Sequence, residues 1–170
     1  VTESDPLIET LKSLKYSDEE GKVHSINLSE NKIGKVTFEG YVFDQDPFIL
    51  KMGVADKDGF KKYLKSNGGV RVFRDKLRVY DYGEPENDWL GLDYRRFQQP
   101  AKRISNNNIL SAVSLVREDS GDLIEKTNRE GFVENKAYHD LRNSLLHVID
   151  LVETLKGLDK KKVRDIYGPT

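Results

Sequence analysis

The sequence predicts an α+β domain in two layers, a mixed sheet with helices on one face. Three observations support that prediction. Residues 35–42 alternate apolar and polar side chains, and residues 70–82 hold two runs of Val, Phe, Leu and Tyr around a short turn, as paired strands do. Residues 133–155 instead carry an apolar stripe at spacings of three and four, which is typical of a helix packed on a sheet.

Length and charge narrow the class of protein. The 170 residues suit one domain with at most a small appendage. With 28 basic and 29 acidic residues, the overall charge predicts neither a nucleic-acid-binding protein nor one that seeks acidic surfaces. The chain has no Cys, which excludes disulfide scaffolds and thiol catalysis and fits a reducing compartment. Because no apolar run is long enough to cross a bilayer, we expect a cytoplasmic protein without a membrane partner.

The first part of the chain, residues 1–22, is predicted to be a helix followed by a linker. Ser4 or Asp5 suits the helix cap and Pro6 its first turn, and apolar residues then follow at helical spacing up to residue 14. The polar residues 16–22 lack any such pattern, so we expect them to form a loop.

The main domain is predicted to span residues 23–157. Its first clear strand covers residues 35–42, where Phe38 and Val42 share one face. A helix is expected at residues 57–67, because Gly68 and Gly69 form a strong stop signal. A hairpin with its turn near residues 75–76 comes next.

The second half of the domain contains a long segment, a strand and the longest helix. Residues 83–108 include the lone Trp89 and lack periodicity, so they are predicted to be a loop. The sequence ILSAVSLV, residues 109–116, is apolar on both faces and predicts a central strand. The helix of residues 133–155 is expected to end at Gly157, which leaves residues 158–170 as a basic tail or a short last helix.

Few residue patterns indicate catalysis or metal binding. His24, His139 and His147 lack the spacing of metal ligands, so no metal site is predicted. The sequence has no phosphate-binding glycine loop and no serine nucleophile motif, and its carboxylates are scattered. An enzyme complete in itself is therefore the least favoured class. The basic runs at residues 61–62, 95–96 and 160–162 are expected to be solvated faces, because acidic residues lie near them.

The segment TNREGFVEN, residues 127–135, is the strongest candidate for a binding site. Its Arg129 precedes a predicted helix N-terminus, where backbone N–H groups and the helix dipole favour an anion. Arg129 could equally pair with Glu130 or Glu134, or lie over the sheet, and the residues alone leave both possibilities open. The turn of three Asn residues at 106–108 either contacts phosphate or caps the preceding loop, and capping is favoured.

Several of these segments together resemble the bacterial GHKL ATPases, the class that includes gyrase, heat-shock chaperone, histidine kinase and mismatch-repair relatives. The motifs that carry the resemblance are YGEP, DWLGLD and RR in order, an Asn-rich turn before a strand, and TNREG before a helix. The similar region runs from about residue 38 to residue 155. The microrchidia ATPases show a looser version of the same order.

The resemblance implies a transducer domain, the domain that follows the ATP-binding domain in such proteins. Its fold is similar to a ribosomal small-subunit protein and contains a left-handed β-α-β crossover, an exception to the usual handedness. In relatives, a basic or amide side chain from a transducer loop touches the γ-phosphate of ATP. Arg129 and Asn128 are the best positional match here, with Arg where some relatives have Lys, and Asn107 is a further candidate.

The motifs of the ATP-binding domain itself are missing from this sequence. There is no helix bearing Glu and Asn ahead of the short likeness DKDGF, and no glycine-rich lid. Such a domain also needs roughly 150 residues of its own. We therefore expect a piece of a longer protein that does not hydrolyse ATP alone. Its expected partners are the parent's own ATP-binding domain, which holds ATP and Mg, and a second copy of the parent in a homodimer.

A second hypothesis is a stand-alone adaptor of the same fold. In that case the long loop around Trp89 would recognise another protein or a nucleic acid, although no feature of the sequence establishes nucleic-acid binding.

Overall fold

The structure, a computed structural model, describes residues 15–26 and 31–168. It is an α+β fold, as predicted, and the helix predicted before residue 15 lies outside the described residues. The strands are β1 (Lys15–Ser17), β2 (Val23–Ser25), β3 (Thr37–Val42), β4 (Gly69–Arg74), β5 (Leu77–Val79) and β6 (Ile109–Leu115). The helices are α1 (Pro47–Gly53), α2 (Lys57–Asn67), α3 (Leu92–Gln98) and α4 (Lys136–Tyr167), and a 3-10 turn (Asn106–Asn108) precedes β6.

The main sheet is mixed, with strand order β3-β6-β4-β5. Strand β6 pairs antiparallel with β3 on one side and parallel with β4 on the other, while β4 and β5 pair antiparallel. The central position predicted for residues 109–116 is therefore confirmed. A continuous apolar run suits this position, because a strand with a neighbour on each side has little contact with water.

Helix α4 covers one face of this sheet. Val113 of β6 lies beside Val72 of β4 and Phe38 of β3, and these side chains pack with Leu141 and Leu145 of the helix. Side chains that alternate with them point away from the helix, and Tyr41 of β3 is 74% exposed there. The period of two in the strand and the stripe in the helix thus bury the same core, as predicted.

The β4–β5 hairpin turns at the predicted residues. Asp75 and Lys76 have φ angles of 51° and 67°, so both lie in the left-handed region that a two-residue hairpin turn of type I′ requires. Asp75 also accepts a hydrogen bond from Arg117 N at 3.0 Å, which ties the turn to the end of β6.

Residues 16–22, predicted to be a loop, instead belong to a small hairpin of β1 and β2. The boundary expected between residues 22 and 23 falls within that hairpin. The Asp18 carboxylate accepts the N–H of Lys22 at 2.8 Å and closes the turn, while Ser17 N donates to Asp150 of α4 at 2.7 Å. This hairpin depends on contacts with a helix more than a hundred residues away in the chain. The order of apolar and polar residues within the hairpin does not indicate such contacts.

Helix α4 does not end at Gly157, so that prediction is wrong. The helix begins after Asn135, whose side chain accepts the N–H of Tyr138 at 2.9 Å, and it continues to Tyr167. Residues 158–167 are therefore its last turns. A glycine within a helix costs about 1 kcal/mol relative to alanine, and ion pairs from Lys160 and Arg164 to Asp46 help to offset that cost.

The segment predicted to be a long loop, residues 83–108, contains helix α3. The carboxylate of Asp88 accepts the N–H groups of Leu92 at 2.9 Å and Asp93 at 2.8 Å, and so satisfies the start of this helix. Helix α1 was also absent from the prediction. There Asp46 is the cap and Pro47 the first helical residue, a start signal that the sequence does contain.

Asp46 joins the start of α1 to the end of α4. Its ionisation is expected to make the free energy of unfolding depend on pH. Its carboxylate accepts from Phe48 N at 2.9 Å and pairs with Lys160 at 2.8 Å and Arg164 at 2.9 Å. Hydrogen bonding from Lys160 is the main reason that the pKa of Asp46 falls from 3.8 to about 2. Because the folded-state pKa is the lower one, this stabilisation is complete above the unfolded pKa and disappears as the pH falls through about 2.

Asp46→Asn keeps a good helix cap but removes the charge, so we expect it to lower the free energy of unfolding by about 1 kcal/mol at pH 7. The difference from wild type should shrink to a small fraction of that value at pH 2, because about half of the folded-state Asp46 is then protonated. Urea unfolding between pH 7 and pH 2 measures both values. Asp159→Asn, an exposed change on the same helix, is the control, and an Asp46→Asn deficit that persists unchanged at pH 2 would contradict the assignment.

Candidate anion-binding site

Arg129 lies on a tight turn beside the end of strand β5. Lys126 N donates to the carbonyl of Gly131 at 2.9 Å, and Arg129 N donates to the carbonyl of Lys126 at 2.8 Å. Isolated β-bridges join Glu125 to Phe132 and Tyr80 to Glu130. Arg129 is therefore held by the sheet edge and stands well before the start of α4 at Lys136. The helix starts three residues later than predicted, so residues 130–135 separate it from Arg129, and an anion shared with its N–H groups stays a prediction.

The Arg129 backbone adopts a left-handed conformation, with φ of 60°. Such a conformation is uncommon outside glycine and costs of order 1 kcal/mol or more, so the surrounding structure must hold it. Asn128 supplies part of that hold. Its side-chain oxygen accepts the N–H of Glu130 at 3.1 Å, and its side-chain nitrogen donates to the Glu130 carboxylate at 2.8 Å.

The Arg129 guanidinium is exposed and makes no hydrogen bond or ion pair within residues 15–26 and 31–168. The alternative pairings with Glu130 and Glu134 are not formed, and Glu130 bonds to Asn128 instead. A guanidinium presented in this way has its full set of donors available for an oxyanion.

Arg129 lines a cavity of about 340 Å³ where strands β4 and β6 end. Arginines dominate its wall, with one carboxylate and two apolar side chains of β5 beside them. The lining residues are Arg74, Arg78, Arg117, Arg129, Glu125, Leu77 and Val79. Four arginines and one glutamate among the lining residues give the wall an excess of cationic side chains, which is suited to a phosphate or carboxylate ligand.

Three of these arginines already have partners. Buried Arg74 donates to the carbonyl of Leu123 at 2.8 Å and pairs with Glu125 at 3.2 Å. Arg117 pairs with the same Glu125 oxygen at 2.8 Å, and Arg78 pairs with Glu84. Arg74 is thus held in place by its partners. Arg129 is the arginine in this wall that has no ion-pair partner among the described residues.

Tyr82 fixes the turn from behind. Its hydroxyl oxygen accepts the N–H of Phe132 at 2.8 Å, and a Cβ added at Gly131 would lie 2.8 Å from the same oxygen. Burial raises the pKa of Tyr82, so the hydroxyl stays protonated at neutral pH. The Tyr82 ring also packs on Trp89, with centroids 4.5 Å apart, and the Trp89 indole donates to the carbonyl of Val70 at 2.9 Å. Half-buried Trp89 is therefore part of the packing behind the site, and a recognition role for its loop stays a prediction.

Asn107 lies at the other end of β6, away from Arg129. Its backbone carbonyl accepts from the Gln45 side chain at 3.3 Å, and it lines a separate cavity together with acidic residues such as Asp88 and Asp93. The favoured capping role of the Asn turn is confirmed at Asn108, whose side chain accepts the N–H of Ser105 at 3.0 Å. The structure brings Asn128 and Arg129 together and leaves Asn107 apart.

A buried ionic cluster is the polar feature that the sequence reasoning missed. Arg95 is 1% exposed, so the expectation that residues 95–96 form a solvated face is wrong for Arg95. It pairs with Asp150 and Glu153 of α4, and Arg103 reaches the same carboxylates at 2.7 Å and 2.8 Å. The signal available in the sequence was the i, i+3 spacing of two acids on a helix otherwise apolar on that side.

Lys160, His147 and His24 also have structural partners. Lys160 pairs with Asp46, so the run at residues 160–162 is not wholly free. His147 is buried and bonds through Nδ1 to the Lys15 carbonyl at 2.6 Å, and His24 pairs with Asp18 at 2.6 Å.

None of the helices in the described part of the chain is both long and apolar enough to cross a membrane. No protein-family model, curated protein or solved structure matches the chain.

Proposed function

We propose that this chain is the transducer domain of a GHKL-type ATPase, in which Arg129 contacts the γ-phosphate of ATP held by a preceding ATP-binding domain. The observation that carries the proposal is the Arg129 guanidinium, which has no partner among the described residues, on a turn closed by backbone bonds and by the Asn128 side chain. Because the backbone of this turn is already ordered, phosphate binding would need to order only the Arg129 side chain. The motif TNREG, at the matching position of the resembling family, supports the same role.

In this proposal the nucleotide state is transmitted by the Arg129 turn. The γ-phosphate would attract Arg129 before hydrolysis and release it afterwards, as in switches whose loops are held by phosphate contacts. The turn is joined through Phe132 to Tyr82, and the Tyr82 ring lies 6.5 Å from that of Tyr138 in the first turn of α4. A displaced turn would therefore press on the longest helix of the domain.

The proposed fold is the transducer fold with its left-handed crossover. Strands β4 and β6 are parallel neighbours, and the chain between them passes through β5 and α3. Any two parallel neighbouring strands need a long connection, so this arrangement is compatible with the proposed fold.

ATP and Mg would bind mainly to the preceding domain, because one arginine turn supplies no contacts for the base or the ribose. A calorimetric titration of the 170-residue chain with magnesium-ATP should therefore show no binding tighter than the millimolar range. Micromolar binding would mean that this chain holds a complete nucleotide site, and the transducer assignment would then be wrong.

The experiment that tests the contact itself is ATP turnover by the protein that carries this chain behind an ATP-binding domain, with Arg129 present and replaced. Coding sequence upstream of Val1 that lacked such a domain would overturn the proposal before any kinetics were measured.

A stand-alone adaptor is the second candidate, and one surface favours it. Tyr94 and Phe97 lie one turn apart on α3, and Phe97 is 78% exposed. An exposed aromatic pair of this kind is suited to a protein partner. Native expression as a 170-residue product would favour the adaptor over the transducer.

A further inference from the structure

We propose that the arginine cavity is a phosphate site in which Glu125 takes the place of the ligand until phosphate displaces it, with Arg117 as a second phosphate ligand beside Arg129. This inference deepens the function proposed for Arg129, and it rests on that function for the source of the phosphate.

Glu125 lies where an oxyanion would be bound. One of its carboxylate oxygens accepts from Arg117 Nη2 at 2.8 Å and from Arg74 Nη1 at 3.2 Å. Two guanidinium groups converging on one oxygen form the arrangement that arginines adopt around phosphate. The Glu125 carboxylate thus occupies the position in which a phosphate oxygen would accept the same two hydrogen bonds.

The cavity would keep its shape without Glu125. Arg74 also donates to the Ser120 side chain at 3.1 Å and to the carbonyls of Ser120 and Leu123, so it needs no carboxylate to stay in place. Arg117 is more than half exposed and is free to turn toward a ligand.

The charge balance favours exchange of the carboxylate for phosphate. Four guanidinium groups and one carboxylate line the cavity, and the acids outside this wall, Glu84 and Asp75, pair with Arg78 and Arg117. A phosphate dianion brings twice the charge of Glu125 into a wall that already carries an excess of cations. The volume of the cavity, about 340 Å³, lies within the range of small-ligand sites.

Exchange would also move the turn. Glu125 forms a β-bridge with Phe132 on the far side of the Arg129 turn. Release of its side chain breaks its contacts with both Arg117 and Arg74. Phosphate in the cavity would therefore be sensed at Phe132.

The test is a titration of the ¹⁵N-labelled chain with inorganic phosphate at constant ionic strength, followed by NMR of the backbone amides. We expect saturable shifts centred on residues 74–79, 117 and 125–132, with millimolar affinity. Glu125→Gln should bind phosphate about tenfold more tightly and Arg117→Gln about tenfold more weakly, since one hydrogen bond to a charged group corresponds to at least that factor.

The matched controls remove the same charges close by. Glu118→Gln lies next to Arg117 and Lys126→Gln lies on the Arg129 turn, and neither residue lines the cavity. Each should change the affinity for phosphate by less than about threefold, because water and salt screen the interaction between an exposed charge and a ligand it does not contact. Each variant's spectrum also reports whether it is folded. Tripolyphosphate as a second probe separates the sources: tighter binding than phosphate indicates a nucleotide tail, and equal binding indicates free phosphate.

Absence of saturable shifts, or a Glu125→Gln affinity no different from that of Glu118→Gln, would overturn the cavity proposal. Either result leaves the ATP-turnover test of Arg129 untouched. Conversely, phosphate binding with the expected variant pattern, together with ATP turnover indifferent to Arg129, would retain the cavity and remove the transducer function.

Discussion

Replacing Arg129 with Ala is expected to lower the rate of ATP hydrolysis by one to several orders of magnitude in the protein that joins this chain to an ATP-binding domain. Loss of one fixed donor to developing charge costs about a hundredfold or more in turnover, and an arginine on a transferring phosphoryl group about a thousandfold or more. The guanidinium bonds to no described residue, so folding should be unaffected. Steady-state turnover at saturating magnesium-ATP and the urea unfolding midpoint measure the two effects.

Two variants sharpen this test. Lys126→Ala removes a charge from the same turn but not from the cavity, so its turnover should be close to wild type. Arg129→Lys keeps the charge but loses the two-pronged donor, so it should fall between wild type and Arg129→Ala. Equal ATP turnover in wild type and Arg129→Ala would contradict the proposed contact between Arg129 and the γ-phosphate.

Glu153→Ala is expected to cost the most stability, about 3–5 kcal/mol, because it breaks a buried ion-pair cluster and leaves Arg95 and Arg103 with the single carboxylate of Asp150. The Glu153 side chain is 4% exposed and pairs with Arg103 at 2.8 Å and with Arg95 at 3.4 Å. Its second oxygen accepts the N–H of Ile104 at 3.0 Å. Since small domains are stable by roughly 5–15 kcal/mol, this variant should unfold at much lower urea concentration.

Glu153→Gln and Asp159→Ala are the controls for this cluster. Glu153→Gln retains an acceptor for Ile104 but loses the charge, so an intermediate loss is expected. Asp159 is exposed on the same helix, and its replacement should change the free energy of unfolding by less than about 0.5 kcal/mol. A loss below about 1 kcal/mol for Glu153→Ala would show that water already solvates the two arginines.

Elements with a local period could be predicted from the sequence. Strands β3 and β6, the β4–β5 hairpin and helix α2 all occur where the pattern predicts them. In each case the alternation of apolar residues along the strand, or their stripe along the helix, indicates which face is buried. The β1–β2 hairpin was missed because Ser17 N bonds to Asp150 far along the chain. The end of α4 was misplaced because Gly157 is a local stop signal, while the ion pairs of Lys160 and Arg164 are not local.

By itself, the sequence determined the α+β class, the central strand, and Arg129 with Asn128 as candidate residues. Only the tertiary structure decided that Arg74 and Arg117 join Arg129 around one cavity and that Asn107 lies at the other end of β6. Only the fold, likewise, buried Arg95 against two carboxylates of α4. The physical reason is that periodicity records which side chains avoid water, whereas the pairing of charges depends on which distant segments the sheet and the long helix bring together.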